Sequence, residues 1–467
     1  SRFLERSRDG SDVLRTTHSR VLLHWRIVLM LSPRSSNSSK VCAELRVTTG
    51  QNVSGLWYEP VLMRSANSLF SGAGGMDYGF EAAGFETKVA VEFDHDCCET
   101  LRRNRSFGVI ERDIMKVPTE EILEVAGLKK GEADLLFGGP PCQPFSKAGY
   151  WARGDSLRLE DPRANTLGAY MRIVEEALPS AFVLENVSGL AFSGKDEGLK
   201  LLLDRLKEIN RKTRSNYQPS FRVLNAAEHG VPQIRERFFL VAAREGTRFQ
   251  FPTPGFVASE TEDQLVKLPL FRTAWDALGD LQETDEDLQM RGKWSKLLPS
   301  IPEGQNYLWH TDRGGGLPLF GWRTRFWSFL LKLAKNRPSW TIQAQPGPAI
   351  GPFHWKNRRL SARELLRIQT FPDDVEIVGG RGSVQKQIGN AVPSLLAEVV
   401  GRAVRSELFG EKLKRGAPKL LPPLRLPVPP TEQIRSVAKA FKALSGVHEP
   451  HPGTGLGRRS VALTQDA

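Results

Sequence analysis

The chain contains few cysteines, and their spacing argues against two common kinds of site. Only four of the 467 residues are cysteine (Cys42, Cys97, Cys98 and Cys142), and no two of them form a CxxC pair. Zinc sites and disulfide frameworks use such regular spacings, so we expect neither a metal nor a disulfide. This cysteine usage fits a reducing, cytoplasmic environment best.

The chain also lacks an apolar run long enough to cross a membrane. The longest apolar stretch near its start, residues 21–31, is too short to span a bilayer and has Arg26 at its centre. No small-residue cleavage site follows it cleanly, which disfavours a secretory signal. We therefore expect no membrane partner.

Basic residues are in excess, but most of the excess lies at the two ends. Residues 1–64 hold ten basic and five acidic residues, and residues 411–467 hold ten and four, so the chain between them carries about +1 of the net +12. Within it, residues 288–340 hold nine basic residues, two acidic residues and five tryptophans. Such a segment is typical of a phosphate-contacting surface, or of a small aromatic-cored domain with a solvated basic face.

Strand and helix patterns alternate from Leu69 onward. Strands are predicted near 87–96 and 181–187, and amphipathic helices over 164–178 and 198–209. This rhythm predicts an α/β fold with a doubly wound, mostly parallel sheet.

The alternation breaks near residue 250, and regular pattern returns at 361–369. Ser361 and Glu364 form a capping-box pattern at the start of a predicted helix. After it, a predicted loop leads into a long helix with Pro393 near its first turn.

A glycine-rich turn follows the first predicted strand. In the sequence FSGAGG, residues 70–75, the glycines let backbone N–H groups approach a ligand at a helix N-terminus. Glu92 ends the next strand, where an acid can bind ribose hydroxyls, and Asp113 follows a third apolar segment. Together they indicate a nucleoside-bearing cofactor. Taken singly, each is equally well an ordinary polar residue at a strand end.

The stretch GGPPCQPFS, residues 138–146, places Cys142 between prolines directly after an apolar strand. By itself it indicates a stiff loop with a packed small residue. Glu185 lies at the end of another predicted strand, and a parallel sheet brings both to one edge. Gln233, Arg235 and Arg237 alternate, so an extended segment places them on one face.

Eight segments between Leu69 and Ala397 resemble, in order, the motifs of the cytosine-5 DNA methyltransferase family. Ser68 departs from that pattern, since an Asp commonly precedes the Leu-Phe pair there. The matching segments are LFSGAGG, VEFDHDCCETLRRN, RDI, GGPPCQPFS, LENVSGL, GVPQIRERFFLVA, RRLSARELLRIQTFPDD and QIGNAVP.

The resemblance implies methyl transfer from S-adenosylmethionine to C5 of a flipped cytosine in duplex DNA. C5 is a poor nucleophile, so a thiolate must first add to C6, and an acid near N3 and a later base complete the reaction. The family pattern makes Cys142 the nucleophile, sets Glu185 against N3 with Asn186 in support, and gives Arg235 the contact with the pyrimidine O2. Gln233 and Arg237 complete the expected catalytic set.

The resemblance also implies a cofactor site and a division of the chain. The expected cofactor-binding residues are Phe70, Gly72, Gly74, Glu92, Phe93, Asp113, Ile114, Pro141, Asn390 and Val392. The expected parts are a non-conforming extension at 1–62, with translation beginning near Met63, a catalytic and cofactor-binding domain at 63–251, a target-recognition domain at 252–340, a return to the catalytic domain at 341–410, and a proline-rich linker with a peripheral tail at 411–467.

Three rival functions share part of this pattern. The tRNA-methylating branch of the family has a similar nucleophile loop, an inactive DNA-binding relative would keep the fold, and an NAD oxidoreductase would share only the glycine turn. The catalytic set and the basic, tryptophan-rich segment favour a DNA-modifying enzyme. Its compact architecture with a single catalytic domain resembles a bacterial restriction–modification methylase or a solitary methylase, and we expect a monomer in the cytoplasm, associated with the nucleoid. A cognate endonuclease of that system, where there is one, would not be physically bound.

Overall fold

The computed structural model describes residues 63–141, 165–191, 197–259, 267–283, 286–322, 324–413 and 416–446. Cys142 and the rest of its loop, and the whole 1–62 extension, lie outside these residues.

Nine strands are defined in the described part of the chain. They are β1 (Arg64–Leu69), β2 (Phe85–Glu92), β3 (Gly108–Glu111), β4 (Leu135–Gly138), β5 (Ala181–Val187), β6 (Ser220–Asn225), β7 (Gln233–Ile234), β8 (Glu236–Ala243) and β9 (Ser339–Trp340).

Ten α-helices accompany the strands in the same described ranges. They are α1 (Gly75–Ala83), α2 (His95–Asn104), α3 (Thr119–Ala126), α4 (Asn165–Ala177), α5 (Glu197–Thr213), α6 (Ala274–Leu278), α7 (Ala362–Ile368), α8 (Arg381–Asn390), α9 (Ser394–Phe409) and α10 (Lys439–Lys442).

Seven of the strands form one sheet in the order β3-β2-β1-β4-β5-β8-β6. Strands β1 to β5 pair in parallel, and β8 runs antiparallel to both β5 and β6. The strand order reverses direction at β1, as in a doubly wound fold, so the carboxyl ends of β1 and β4 lie side by side at one edge. The predicted α/β fold with a mostly parallel sheet is confirmed.

Both faces of the sheet are buried. Successive side chains along each strand point to opposite faces, and each face packs into its own hydrophobic core. One core includes Leu136, Phe182 and Tyr170 of α4. The opposite core includes Phe137 and Val183, and it takes in α1 and α9. The final long helix therefore packs back beside the first helix, as predicted.

Gly79 sets how closely α1 and α9 approach. A Cβ at this position would lie 2.3 Å from the carbonyl oxygen of Ser394 and 2.4 Å from Cβ of Ala397. Real Cβ atoms do not approach backbone this closely, so only glycine fits. The contact fixes the start of α9 against α1.

The region before Pro393 corrects one prediction. The predicted loop is the helix α8, although Gly382 and Gly389 weaken its local helix propensity. The amide of Gln387 is buried there, accepts from the Thr100 hydroxyl at 2.8 Å and donates to the Val378 carbonyl at 2.7 Å. These long-range bonds favour the helix. The Ser361–Glu364 capping box at α7 is confirmed.

The tryptophan-rich segment has an aromatic core of its own, which includes Trp294, Tyr307, Phe320 and Phe329. Of its basic residues, Lys332 and Lys335 are buried. This core and its surroundings therefore take up part of the basic charge and two of the five tryptophans, Trp294 and Trp309.

Residues 416–446 are anchored to the rest of the protein rather than peripheral. Glu398 of α9 accepts from the backbone N–H groups of Lys419 and Leu420 at 2.7 and 2.9 Å, and Phe441 is buried against Trp294. Proline-rich chain has few donors of its own to satisfy, which suits such an extended path over a surface.

Across the described ranges, no helix has both the length and the apolar character needed to cross a membrane.

We expect Gly79→Ala to lower the free energy of unfolding by about 1–3 kcal/mol, the usual cost of overpacking. Denaturant titration measures it. The matched control is Gly168→Ala in α4, whose Cβ would meet nothing within 4 Å. That variant should be unchanged or about 1 kcal/mol more stable, since alanine is the better helix former. Equal stability of the two variants would contradict the packing argument.

Candidate functional site

Glu185 lies beside the backbone that leads to Cys142. Gly138 of β4 pairs with Leu184 of β5, so Glu185 is the next residue at the carboxyl edge. A Cβ on Gly139 would lie 2.7 Å from Oε2 of Glu185, so the carboxylate sits directly over a position that has no side chain. The sequence predicted that the ends of the strands before Cys142 and at Glu185 lie at one edge of the sheet. The parallel pairing of β4 with β5 confirms this for the two strands. The placement of Cys142 itself stays a prediction, as it is outside the described residues.

Two hydrogen bonds hold the chain just before Cys142. The Asn186 amide donates to the Pro140 carbonyl at 3.1 Å, and the Thr166 hydroxyl donates to the Pro141 carbonyl at 3.2 Å. Asn186 follows Glu185, so one strand end positions both the carboxylate and the approach to the cysteine.

Glu185 and Arg237 form a buried ion pair, with 2.8 Å between Nε of Arg237 and Oε1 of Glu185. Burial raises the pKa of Glu185, while the positive charges of Arg237 and Arg235 pull it the other way. The net direction is upward. A carboxyl group with a raised pKa can hold a proton closer to neutral pH, so it suits a hydrogen-bond donor or acid.

Gln233, Arg235 and Arg237 share one face of their extended segment, as predicted, and the two residues between them are more exposed. Arg235 is fully buried. Its Nη1 donates to the Ile342 carbonyl at 3.1 Å, and its Nη2 donates to the carbonyls of Gly389 and Ala391 at 2.7 and 3.0 Å. These bonds direct its guanidinium toward the returning chain.

Sequence reasoning missed Gln369, which is fully buried and binds Gln233. The Gln233 amide donates to Oε1 of Gln369 at 2.8 Å and accepts from the Ile342 N–H at 3.0 Å. Gln369 donates to the Ile388 carbonyl at 2.6 Å. Gln369 lies inside the segment RRLSARELLRIQTFPDD, which resembles a family motif, and that position is the one sequence feature that could have identified it.

Glu92 organises the candidate cofactor turn. Its carboxylate accepts from the backbone N–H of Gly72 at 2.7 Å, of Phe93 at 2.8 Å and of Asp94 at 2.9 Å. The carboxyl ends of β1 and β2 are therefore tied together by one side chain.

The other predicted cofactor residues surround this turn. Phe70, Gly72 and Gly74 have positive φ values of 54°, 55° and 82°, and a Cβ on Gly72 would meet nothing within 4 Å. Open space above a glycine in a strained turn leaves room for a ligand to approach the backbone. Phe93 is 73% exposed, which leaves its ring available for stacking.

The remaining predicted positions divide between the two ends of the chain. Asp113 accepts from the Met115 N–H at 3.0 Å, and Ile114 is buried beside it. A Cβ on Gly75 would lie 2.5 Å from the Val392 carbonyl oxygen, so the last segment does reach the first turn. Asn390 and Pro141 are exposed. The residues present fit a nucleoside-bearing ligand.

Cys97 and Cys98 do not compete as nucleophiles. Both are buried, and burial raises the pKa of Cys97, and raises that of Cys98 to about 12. At neutral pH both are thiols rather than thiolates, the reactive form.

A metal-like grouping occurs once among the described residues, at His95, Glu99 and Glu111. Arg102 already binds both carboxylates, at 2.7 and 2.6 Å, so it offsets part of their negative charge within the protein.

We expect Arg237→Gln to raise the pKa of Glu185 further, because its ion-pair partner is lost while burial remains. Carboxyl carbon NMR of glutamate-labelled protein, titrated with pH, measures it. The control is Arg205→Gln, which removes a half-buried arginine of α5 that pairs with Glu208. It should leave the Glu185 titration unchanged. A Glu185 pKa that stays put or falls in Arg237→Gln would show that the ion pair is not what restrains it.

A family model described as C-5 cytosine-specific DNA methylase matches residues 65–406. The chain is 42% identical over 369 residues to the Type II methyltransferase M.SacI of Streptomyces achromogenes, covering 73% of this chain and 92% of that protein. It is 44% identical over 247 residues to M.AquIA of Picosynechococcus, covering 51% and 98%.

Two solved structures share the fold. A triple mutant of Spodoptera frugiperda DNMT2 aligns over 74% of this chain and 99% of its own, with a TM-score of 0.51 and 17% identity. A prophage-encoded E. coli protein aligns over the same shares with a TM-score of 0.54 and 21% identity.

Proposed function

Because this chain belongs to the C-5 cytosine-specific DNA methylase family, we propose that it transfers the methyl group of S-adenosylmethionine to C5 of a cytosine in a specific duplex DNA sequence. The observation that carries the proposal is the pairing of Glu185 with Arg237 directly over the Gly139 backbone that leads to Cys142. The Type II methyltransferase relatives support a role as the modification enzyme of a restriction–modification system.

The chemistry begins with the thiolate of Cys142 and cytosine C6. Sγ adds to C6, the C5=C6 electrons move to C5, and Glu185 donates a hydrogen bond or proton at N3 to take up the charge. S-adenosylmethionine, when bound, supplies an electrophilic methyl group for C5. A base then removes the C5 proton and passes it to solvent, the C5=C6 bond re-forms as Sγ leaves, and N3 returns any proton it received to Glu185, so the protein returns to its starting state.

Arg237, rather than Arg235, is the arginine that we assign to the base. The terminal nitrogens of Arg235 already donate to three backbone carbonyls, whereas Arg237 lies against Glu185 at the sheet edge. The guanidinium of Arg237 holds Glu185 in place and presents positive charge where the pyrimidine oxygen would sit. Arg235 and Gln233 act as positioning residues, because Arg235 donates to backbone carbonyls and Gln233 is bound to the Gln369 side chain and the Ile342 N–H.

The cofactor would lie over the glycine-rich turn. Phe93 would stack on the adenine, Glu92 would bind the ribose hydroxyls with its remaining lone pairs, and Asp113 with Ile114 would line the adenine edge. Phe70, Gly72, Gly74, Asn390, Val392 and Pro141 would enclose the rest.

Incubating the protein with tritiated S-adenosylmethionine and duplex DNA should label the DNA, and Cys142→Ser should abolish the label. Cys97→Ser, which changes a buried thiol of raised pKa, serves as the matched control and should retain activity. Label in tRNA alone would favour the tRNA-methylating branch instead. Absence of label in both nucleic acids would overturn the proposal.

An exposed aromatic surface is our candidate for DNA contact within the target-recognition region, 252–340. Phe326 and Trp327 are 80% and 55% exposed, and Trp327 packs edge-on against Trp340 at 5.8 Å. Trp340 pairs with Ile234 of β7, so this surface adjoins the residue directly before Arg235. Large exposed aromatics beside a functional strand are typical of a binding surface.

We expect Phe326→Ala combined with Trp327→Ala to weaken binding to cognate duplex by about tenfold or more, in line with ~1–3 kcal/mol for an aromatic–base contact. Fluorescence anisotropy of labelled DNA measures it. The control is Phe221→Ala, an exposed aromatic on β6, which should bind DNA as the wild type does. Unchanged affinity in the double variant would remove this surface from the DNA interface.

A further inference from the structure

The described residues 416–446, which we call the clasp, lie beyond residue 406, where the family match ends. They contain one short helix, α10, and otherwise extended chain. The clasp is anchored at three separate sites on the rest of the protein. At each site it contacts a buried polar or aromatic side chain.

The first anchor is on the catalytic sheet. Glu398 is completely buried in α9, and its two oxygens accept from the Lys419 and Leu420 N–H groups. Leu421 lies against Gly230, three residues before β7. A buried carboxylate that receives two backbone donors fixes those donors firmly, because leaving it unpaired would be costly.

The second anchor is at α6. Asp276 accepts from the Arg425 N–H at 2.7 Å, and the Arg425 guanidinium donates to the Asp276 carbonyl and pairs with Asp280 at 2.8 Å. Arg272 donates to the Pro422 carbonyl at 3.0 Å. Asp276 also caps α6 through Thr273, so the same carboxylate sets the helix start and holds the clasp.

The third anchor is on the tryptophan-rich region. Lys335 is buried between Glu303 at 2.8 Å and Glu432 of the clasp at 2.9 Å, and it donates to the Pro430 carbonyl at 2.9 Å. The Phe441 ring stacks on Trp294 at 5.7 Å, with 16° between the ring planes.

We propose that the clasp fixes the recognition region on the catalytic sheet, so that Arg425 and Phe441 are positioning residues for DNA. This inference rests on the proposed function for its substrate. One continuous segment, the clasp, makes all three anchors, which lie on the catalytic part and on the recognition region. Movement of the recognition region away from the sheet must therefore break at least one of them. The clasp acts on how well duplex DNA fits between the two parts, not on the bond-making step.

In the full chain, Arg425→Ala and Phe441→Ala should each raise the KM for cognate duplex by about tenfold, the order expected for losing a charge-assisted bond or a buried ring contact. The single-turnover methylation rate at saturating DNA should stay near the wild-type value. Arg425→Lys and Phe441→Tyr should recover part of the loss. Arg435→Ala, which changes an exposed clasp side chain while keeping its backbone bond to Pro299, should match the wild type.

Hydrogen exchange tests the clasp independently of activity. In Arg425→Ala, amides of residues 297–333 should exchange faster, while amides of β1 and β4 keep wild-type rates. Unchanged exchange, or a slowed single-turnover rate with an unchanged KM, would overturn the inference. If the wild-type protein methylates no DNA, the proposed function fails, and the exchange rates still decide whether the clasp holds the recognition region.

Discussion

A completely buried guanidinium holds the site together. Arg235 enters from the strand segment that follows β7 and binds three carbonyls that the chain supplies more than a hundred positions later. The carbonyls of Gly389 and Ala391 lie at the turn between α8 and α9, which lies against Gly75 of the candidate cofactor loop, whereas the Ile342 carbonyl follows β9. Because an arginine this deep is costly to bury unpaired, the bonds from its terminal nitrogens to these three carbonyls are what stabilise it, although its Nε has no partner among the described residues. The Arg235 side chain thereby connects the segment after β7, the returning chain and the glycine-rich turn.

The candidate reactive edge combines close packing against the backbone with the buried Glu185–Arg237 ion pair. Glu185 occupies the space that a side chain on Gly139 would need, and Asn186 holds Pro140 from the adjacent position. The single strand β5 therefore carries both the Glu185 carboxylate that pairs with Arg237 and the Asn186 amide that holds the chain before Cys142. Because both depend on one strand register, a slip of one residue would separate them from these partners.

Local sequence patterns were enough to predict much of the fold and part of the candidate site. The βα rhythm predicted the sheet, the capping box predicted α7, and strict alternation placed Gln233, Arg235 and Arg237 on one face. What alternation could not reveal was where that face points, because the partners of Arg235 come from distant sequence with no periodic signal. The helix α8 was missed for the same reason, since Gln387 is held by Thr100 and Val378 rather than by local propensity. The burial of Lys332 and Lys335 was equally hidden, as charge counts do not distinguish a solvated lysine from one enclosed by Glu303.

The anchoring of Glu432 and Phe441 on Lys335 and Trp294 has a consequence for any exchange of specificity between relatives. A hybrid that takes only residues 252–340 from another enzyme would keep Glu432 and Phe441 while replacing the groups that receive them. Glu432 is exposed and would then be solvated, but the buried Phe441 ring would lose the aromatic surface on which it packs. Under the proposed division of the chain, the unit of modular transfer is therefore discontinuous in sequence, and it comprises the recognition segment together with the clasp.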